Sequence, residues 1–177
     1  MSVRPFNRQP VLTDGALLLR PLERTDFEPL FAAASDPKIW EGHPANNRHE
    51  PDVFRRYFDE RLKTQSTLII IEECTQQAIG CSAYYTAPDM PDSISIGFTF
   101  LTRKHWGGKT NRQVKDLMIA HALKNFDAVW FHINLSNIRS QKATVKLGAK
   151  HVYTGTIDLS GGPTQWMCFK IDRNDWP

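Results

Sequence analysis

The sequence predicts a mixed α/β fold, a mixed sheet with helices on both faces, and three observations carry that prediction. Strand-like and helix-like segments follow in the order β-α-α-β-β-β-α-β-α-β-β. Between Ser93 and Phe100, the residues Ile94, Ile96, Phe98 and Phe100 alternate with Ser93, Ser95, Gly97 and Thr99, the two-residue period of a strand with unlike faces. Just beyond, Trp106-Gly107-Gly108-Lys109-Thr110-Asn111 joins a strand pattern to a helix pattern. At 177 residues one domain spanning 1–177 is expected, long enough to bury a real core.

The elements read in order as follows. Ala16 to Arg20 is a strand closed by Pro21, and Thr25-Asp26-Phe27-Glu28 opens a helix with Phe27, Leu30 and Phe31 on one face. Thr25 and Glu28 have capping-box spacing. Asp36-Pro37 stops that helix. Lys38 to Pro51 is loop-like, with Trp40, Glu41, His43 and His49. Asp52 to Leu62 is a second helix with a broad apolar face. Thr67 to Glu72 and Ala78 to Tyr85 pair as a hairpin through Thr75-Gln76-Gln77. After the glycine turn, Val114, Leu117, Met118, Ala122 and Phe126 recur at helical spacing, with Thr110 and Gln113 at capping-box positions. Val129 to Ile133 is a strand, Asn137 caps a helix to about Leu147, and Gly148 stops it. Val152 to Leu159 and Thr164 to Ile171 form a last hairpin about Ser160-Gly161-Gly162-Pro163.

Composition removes several function classes. The longest aliphatic run, Leu68 to Ile71, is too short to cross a bilayer. The opening MSVRPFNRQP has no apolar signal segment, so export is not expected. Cys74, Cys81 and Cys168 are odd in number and lack a CxxC pair, which points to a reducing, cytoplasmic setting without disulfides or zinc. The histidine spacing supports no metal site. Between Thr102 and Lys150, ten basic residues face two acidic ones, a balance of +8; with +3 for the whole chain, the remainder carries −5. A basic block around a glycine turn suits a polyanion. Few aromatics interleave it, and the rest is acidic, so nucleic acid is not the expected partner.

The glycine turn reads as an anion site. Glycines let a ligand approach the backbone, and a helix starting there presents free N–H groups and a positive dipole end, the usual grip on phosphate. A P-loop is excluded, because its first glycine would fall at position 103, which is Arg.

LLLRPLERTDFEPLF, IGFTFLTRKHWGGKTNRQVKDLMIAHAL and INLSNIRSQKATVKLGAKHVYTG resemble, in this order and spacing, segments of the GNAT superfamily of acyl-CoA N-acyltransferases. The nearest likeness is to its RimJ/RimL branch of ribosomal-protein N-terminal acetyltransferases. Lys109 stands where the superfamily loop has its last small residue. The resemblance implies a mostly antiparallel sheet of six to seven strands. It implies acetyl-CoA as co-substrate, no metal, no membrane, and a small-molecule or peptide amine as acceptor; members often form homodimers. The acidic balance elsewhere points to a cationic acceptor.

Residue by residue, the coenzyme contacts implied are Leu101, Thr102, Arg103, Trp106, Gly107, Gly108, Lys109, Thr110, Asn111, Arg112, Asn137, Arg139 and Ser140. Direct attack of an amine on the thioester needs an oxyanion donor, a proton for the thiolate and a neutral amine. A backbone N–H near Leu101 suits the first role. Ser140, in the Asn-x-x-Ser motif, suits the second; Thr144 fills the slot where many members carry tyrosine, with Tyr153 in reserve. No acid lies on the strand Ile94 to Leu101, so Glu41 and His43 are the base candidates, and Trp40 shares their loop. That empty base position also motivates an alternative, a non-catalytic acyl-CoA sensor of the same fold.

Overall fold

The computed structural model describes residues 5–159 and 161–177. Eight strands form one sheet in the order β1-β2-β3-β4-β5-β6-β8-β7. They are β1 (Leu12–Thr13), β2 (Leu17–Pro21), β3 (Thr67–Glu72), β4 (Gln77–Tyr85), β5 (Ile94–Leu101), β6 (Ala128–Asn134), β7 (Lys150–Ile157) and β8 (Thr164–Asp172). The helices are α1 (Phe27–Ala34), α2 (Pro51–Lys63), α3 (Thr110–Ala122) and α4 (Ile138–Lys146). All neighbouring strands are antiparallel except β5 and β6. The sheet exceeds the expected six to seven strands by β1, whose two residues pair with Leu18 and Leu19 at the edge. A segment that short carries no readable period.

The run Leu68-Ile69-Ile70 does not alternate because β3 is covered on both faces. Leu68 and Ile70 join Leu19, Val114, Met118 and Ile119 under α3. Ile69 points the other way, to Leu30, Phe54 and Phe58 of α1 and α2. Burying a side chain of this size contributes roughly 1.5–3 kcal/mol. Apolar faces on α1, α2 and α3 thus sandwich the sheet, as the periodicities predict.

Three local expectations are corrected. Thr25 and Glu28 do not open α1. Buried Asp26 does, accepting from the Glu23 N–H at 2.8 Å and from both terminal nitrogens of Arg20, at 2.9 and 2.7 Å. Thr110 and Gln113 form no capping box, since Lys109 is the N-cap and no side chain caps the helix. The apolar spacing runs on to Phe126, but α3 ends at Ala122, and Phe126 packs edge-on against Phe6 from a turn. Asn137 and Gly148 behave as read: Asn137 accepts from the Ser140 N–H, and Gly148 takes φ +93°. The predicted turn at 160–163 is described from Gly161 onward, and Ser160 lies outside the described residues.

One irregularity shapes everything downstream. β5 and β6 pair only at Ile94 with Val129 and at Ser95 with Trp130, and beyond that register they part. On its other side β5 carries a bulge against β4: Cys81 faces Phe100 and Ala83 faces Gly97, so Phe98 and Thr99 share the place opposite Ser82. Phe98 sits at φ +52°, a conformation costing a β-carbon residue about 1–3 kcal/mol. The Tyr57 hydroxyl of α2 holds its carbonyl at 3.2 Å. Its ring lies between the Arg61 guanidinium, at 3.8 Å, and the Tyr85 ring, 5.2 Å between centroids.

β4 crosses β5 closely at Gly80, where a β-carbon would stand 2.0 Å from the Phe100 carbonyl oxygen. Gly80→Ala is therefore expected to lower stability by about 3 kcal/mol, read as a shifted urea midpoint. A midpoint equal to wild type would contradict so close a crossing.

Candidate active site

The parting of β5 from β6 opens a cavity of about 610 Å³ lined from both strands, α2, α3, α4 and the loop before α2. The Thr102 N–H is spent on the Ile79 carbonyl of β4 at 2.8 Å. Antiparallel alternation then turns the N–H and C=O of Leu101 away from β4, into the gap. That carbonyl accepts from the Trp106 indole N–H at 2.9 Å, which leaves the Leu101 N–H as the group facing the cavity.

At the mouth of α3 the backbone is short of partners. The Trp106 N–H bonds to Arg103 and the Gln113 N–H to Lys109. Between them, the six N–H groups from Gly107 to Arg112 have no protein acceptor among the described residues. Gly107 takes φ +71° and Gly108 an ordinary one, and a β-carbon at either would meet nothing within 4 Å. Donors left free in this way at a helix start form a cradle for a phosphate or diphosphate, and the residues present fit that group.

The structure brings together Leu101, Trp106, Gly107, Asn111, Asn137, Arg139, Ser140 and His43 on this cavity. Gly108, Lys109 and Thr110 lie on the loop and first turn beside it, outside its lining, as do Thr102, Arg103, Arg112 and Glu41. Arg112 is diverted: it pairs with Asp116 at 2.7 Å and lies over the Trp176 ring at 4.8 Å. Arg103 pairs with Asp36, and the Thr102 hydroxyl bonds His105 at 2.7 Å. Trp40 is a core residue, 2% exposed, with its indole N–H on the Ala34 carbonyl.

On α4, Asn137 caps the helix by accepting from the Ser140 N–H at 3.2 Å. The Ser140 hydroxyl has no protein partner among the described residues and stands at the cavity wall. Arg139 lies over the Trp106 ring at 4.0 Å and donates to the Ile39 carbonyl at 2.7 Å, tying α4 to the loop before α2.

His43 is a poor base here. Burial, with Arg48 and Arg139 adding to it, pushes its pKa down to about 4. Its Nδ1 accepts from the Ala45 N–H at 2.9 Å, so in the neutral ring the proton sits on Nε2, the nitrogen a substrate would need free. Glu41 is exposed.

Sequence reasoning missed the groups that buttress the bulge. Lys115 is 6% exposed, and its ammonium reaches Thr99 at 2.6 Å and Ser82 at 3.3 Å, the hydroxyls on either side of the bulge. It makes no ion pair among the described residues, and burial pushes its pKa down to about 7. Its place beside Val114, Met118 and Ile119 on the buried side of α3 was the available signal. Tyr85 crosses β5 where Gly97 has no side chain, and its hydroxyl meets His132 Nδ1 at 2.8 Å. Among the described residues one group of metal-type ligands gathers, Asp89, His132 and Cys168, with ligand atoms within 4.8 Å. Three separate elements supply it, so no spacing announced it.

An acyl carrier with a phosphate-bearing tail fits a cavity with this shape and these open donors. Residues 16–150 match the acetyltransferase (GNAT) domain, and the chain belongs to that family. A GCN5-related N-acetyltransferase from Brucella melitensis has a TM-score of 0.79 at 16% identity, covering 98% of this chain and 83% of its own. Mycobacterium smegmatis RimJ, solved with CoA-disulfide, gives 0.67 at 13% identity, with 94% and 87% covered. A spermidine N-acetyltransferase from Vibrio cholerae, solved with CoA and spermine, gives 0.63 at 13% identity, with 92% and 99% covered. These likenesses show the fold. No curated protein matches the sequence.

Lys115 gives the site a pH signature. Below about pH 7 both folded and unfolded chains hold its proton, and the full cost of burying the charge is present. From there to about pH 10.4, the unfolded value, only the unfolded chain keeps the proton, so stability rises with pH. Relative to Lys115→Met, wild type should gain up to about 1.4 kcal/mol per pH unit across this window in urea titrations. Parallel pH profiles would contradict a buried, depressed lysine.

Proposed function

We propose that the protein transfers an acetyl group from acetyl-CoA to a primary amine by direct attack on the thioester. General acyl-CoA-dependent N-acetyl transfer follows from the family; the roles of individual residues and the acceptor are our reading. The observation that carries it is the run of six unpartnered N–H groups, Gly107 to Arg112, at one end of an unpaired strand edge. The amides take the coenzyme's diphosphate, with Lys109 adding charge. The open edge of β5 and the side-chain amide of Asn137 take the peptide-like arm. The Leu101 N–H faces the thioester carbonyl and stabilises the oxyanion. The free Ser140 hydroxyl, in the first turn of α4, gives its proton to the departing thiolate. The RimJ/RimL resemblance of the sequence supports a protein N-terminus as one acceptor class, and the likeness to the spermidine enzyme supports a small-molecule amine as the other. An α-amino group, with a pKa of about 8, needs little help to lose its proton, in keeping with a site where His43 is held neutral.

Free-thiol release from acetyl-CoA across an amine panel tests the reading; binding without thiol release would leave only a sensor. Gly108→Ala, which meets nothing, is expected to bind coenzyme A normally, whereas Gly108→Asp should weaken binding at least about 100-fold by setting a carboxylate against the diphosphate. Equal affinity for the two variants would misplace the cradle. Ser140→Ala should lower kcat about 10²-fold with coenzyme affinity little changed; an unchanged kcat would remove Ser140 from the chemistry.

A further inference from the structure

The wall of the cavity under α2 carries more cations than carboxylates, and none of those cations is ion-paired among the described residues. Arg48 is half-buried there, its guanidinium 4.3 Å from the Tyr57 ring centroid and 5.5 Å from that of Trp40. It makes no hydrogen bond and no ion pair among the described residues. Arg61, one helical turn beyond Tyr57, stacks on Phe98, and its Nε is buried without a partner. Arg61 stands behind the lining, which holds Arg48 and Arg139, with Lys115 adding charge only below about pH 7, against a single carboxylate, the exposed Glu60. The acidic excess outside the coenzyme block does not collect here. Asp26, Asp36, Glu72, Asp172 and Asp175 are each tied to a base elsewhere. A cationic acceptor, expected from overall charge, would meet repulsion.

A half-buried guanidinium stacked on two aromatic rings, with no protein acceptor among the described residues, is a ready seat for an anionic group. In the proposed acetyl transfer the coenzyme's phosphates are held at the mouth of α3, and the part lying along the open edge of β5 is the neutral arm with its thioester. The counter-ion must then arrive with the acceptor. Resting on that reading, we propose that the acceptor is an amine bearing its own carboxylate, which seats on Arg48 beside Tyr57 and directs the amine toward the thioester on the open edge of β5. The same positive surroundings favour the uncharged form of the amine, which suits a strand that offers no acidic base. The carboxylate can belong to a free amino acid or to an acidic side chain next to a peptide N-terminus, and the test separates the two.

Thiol release is measured with leucine, leucinamide, 3-methylbutylamine and spermidine, and with the amides of Ala-Glu and Ala-Gln, alongside calorimetry of coenzyme A. In at least one series the carboxylate member should lead its neutral partner by about tenfold or more in kcat/KM, mostly through KM. Arg48→Gln should reduce that ratio to near one, and Arg48→Lys should keep part of it, with coenzyme affinity unmoved in both. A lead for spermidine or the neutral amines, or Arg48→Gln weakening coenzyme A instead, would overturn the proposal. So would coenzyme binding with no turnover of any carboxylate-bearing member. If coenzyme A does not bind at all, the acetyl-transfer reading fails first; if it binds and neutral amines react equally well, only the acceptor assignment fails.

Discussion

The separation of β5 from β6 after two paired positions is the constraint on which the rest of the structure depends. A parallel pair that stops early leaves backbone donors and acceptors facing a gap, and buried groups of this kind need partners. The bulge at Phe98 turns β5 at that place. It is held from one face of the sheet by Tyr57 and Arg61 of α2, and from the other by Lys115 of α3, bonded to Thr99 and Ser82. Two helices on opposite faces thus support one irregular residue. Aromatic and polar contacts at that residue offset a backbone cost of about 1–3 kcal/mol.

The electrostatics divide along the gap. At one end, the mouth of α3 offers a fan of amides beside the exposed Lys109, while Arg112 and Arg103 are engaged with Asp116 and Asp36. Backbone therefore offers most of the donors for an anion there, and a backbone cradle tolerates an unusual glycine pattern. At the other end, Arg48 stacks on Tyr57 and Trp40 and Arg61 on Phe98, and burial, with Arg48 and Arg139 adding to it, keeps His43 uncharged. Stacking and chemistry share the same side chains there, so packing and charge cannot be altered separately.

Much of the fold was legible because its signals are local. Alternation marked β5, the helical periods marked α2 and α3, and Asn137 and Gly148 marked both ends of α4. The glycine turn was legible for the same reason: two adjacent glycines before a helix state a backbone need, whatever the tertiary contacts. What stayed hidden depends on distant partners. Arg112 looks like a phosphate ligand until Trp176 and Asp116 are seen around it. That Trp40 serves both as a core residue and as part of the cavity wall shows only once its indole is found on Ala34. Asp26 replaced Thr25 as the organiser of α1 because Arg20, across the turn, gives it an ion partner. Lys115 was counted within a basic block, and only its place on the buried side of α3 reveals a group under the bulge. The bulge itself inserts a residue into a perfect alternation without disturbing the letters.

Hydrogen exchange of the amides, with and without coenzyme A, tests the unpartnered backbone most directly. Saturating coenzyme is expected to slow exchange at Gly107 to Arg112 and at Leu101, while the paired strands β2 and β3, which supply no residue to the cavity, keep their rates. Unchanged exchange across Gly107 to Arg112 would contradict a diphosphate held by these N–H groups.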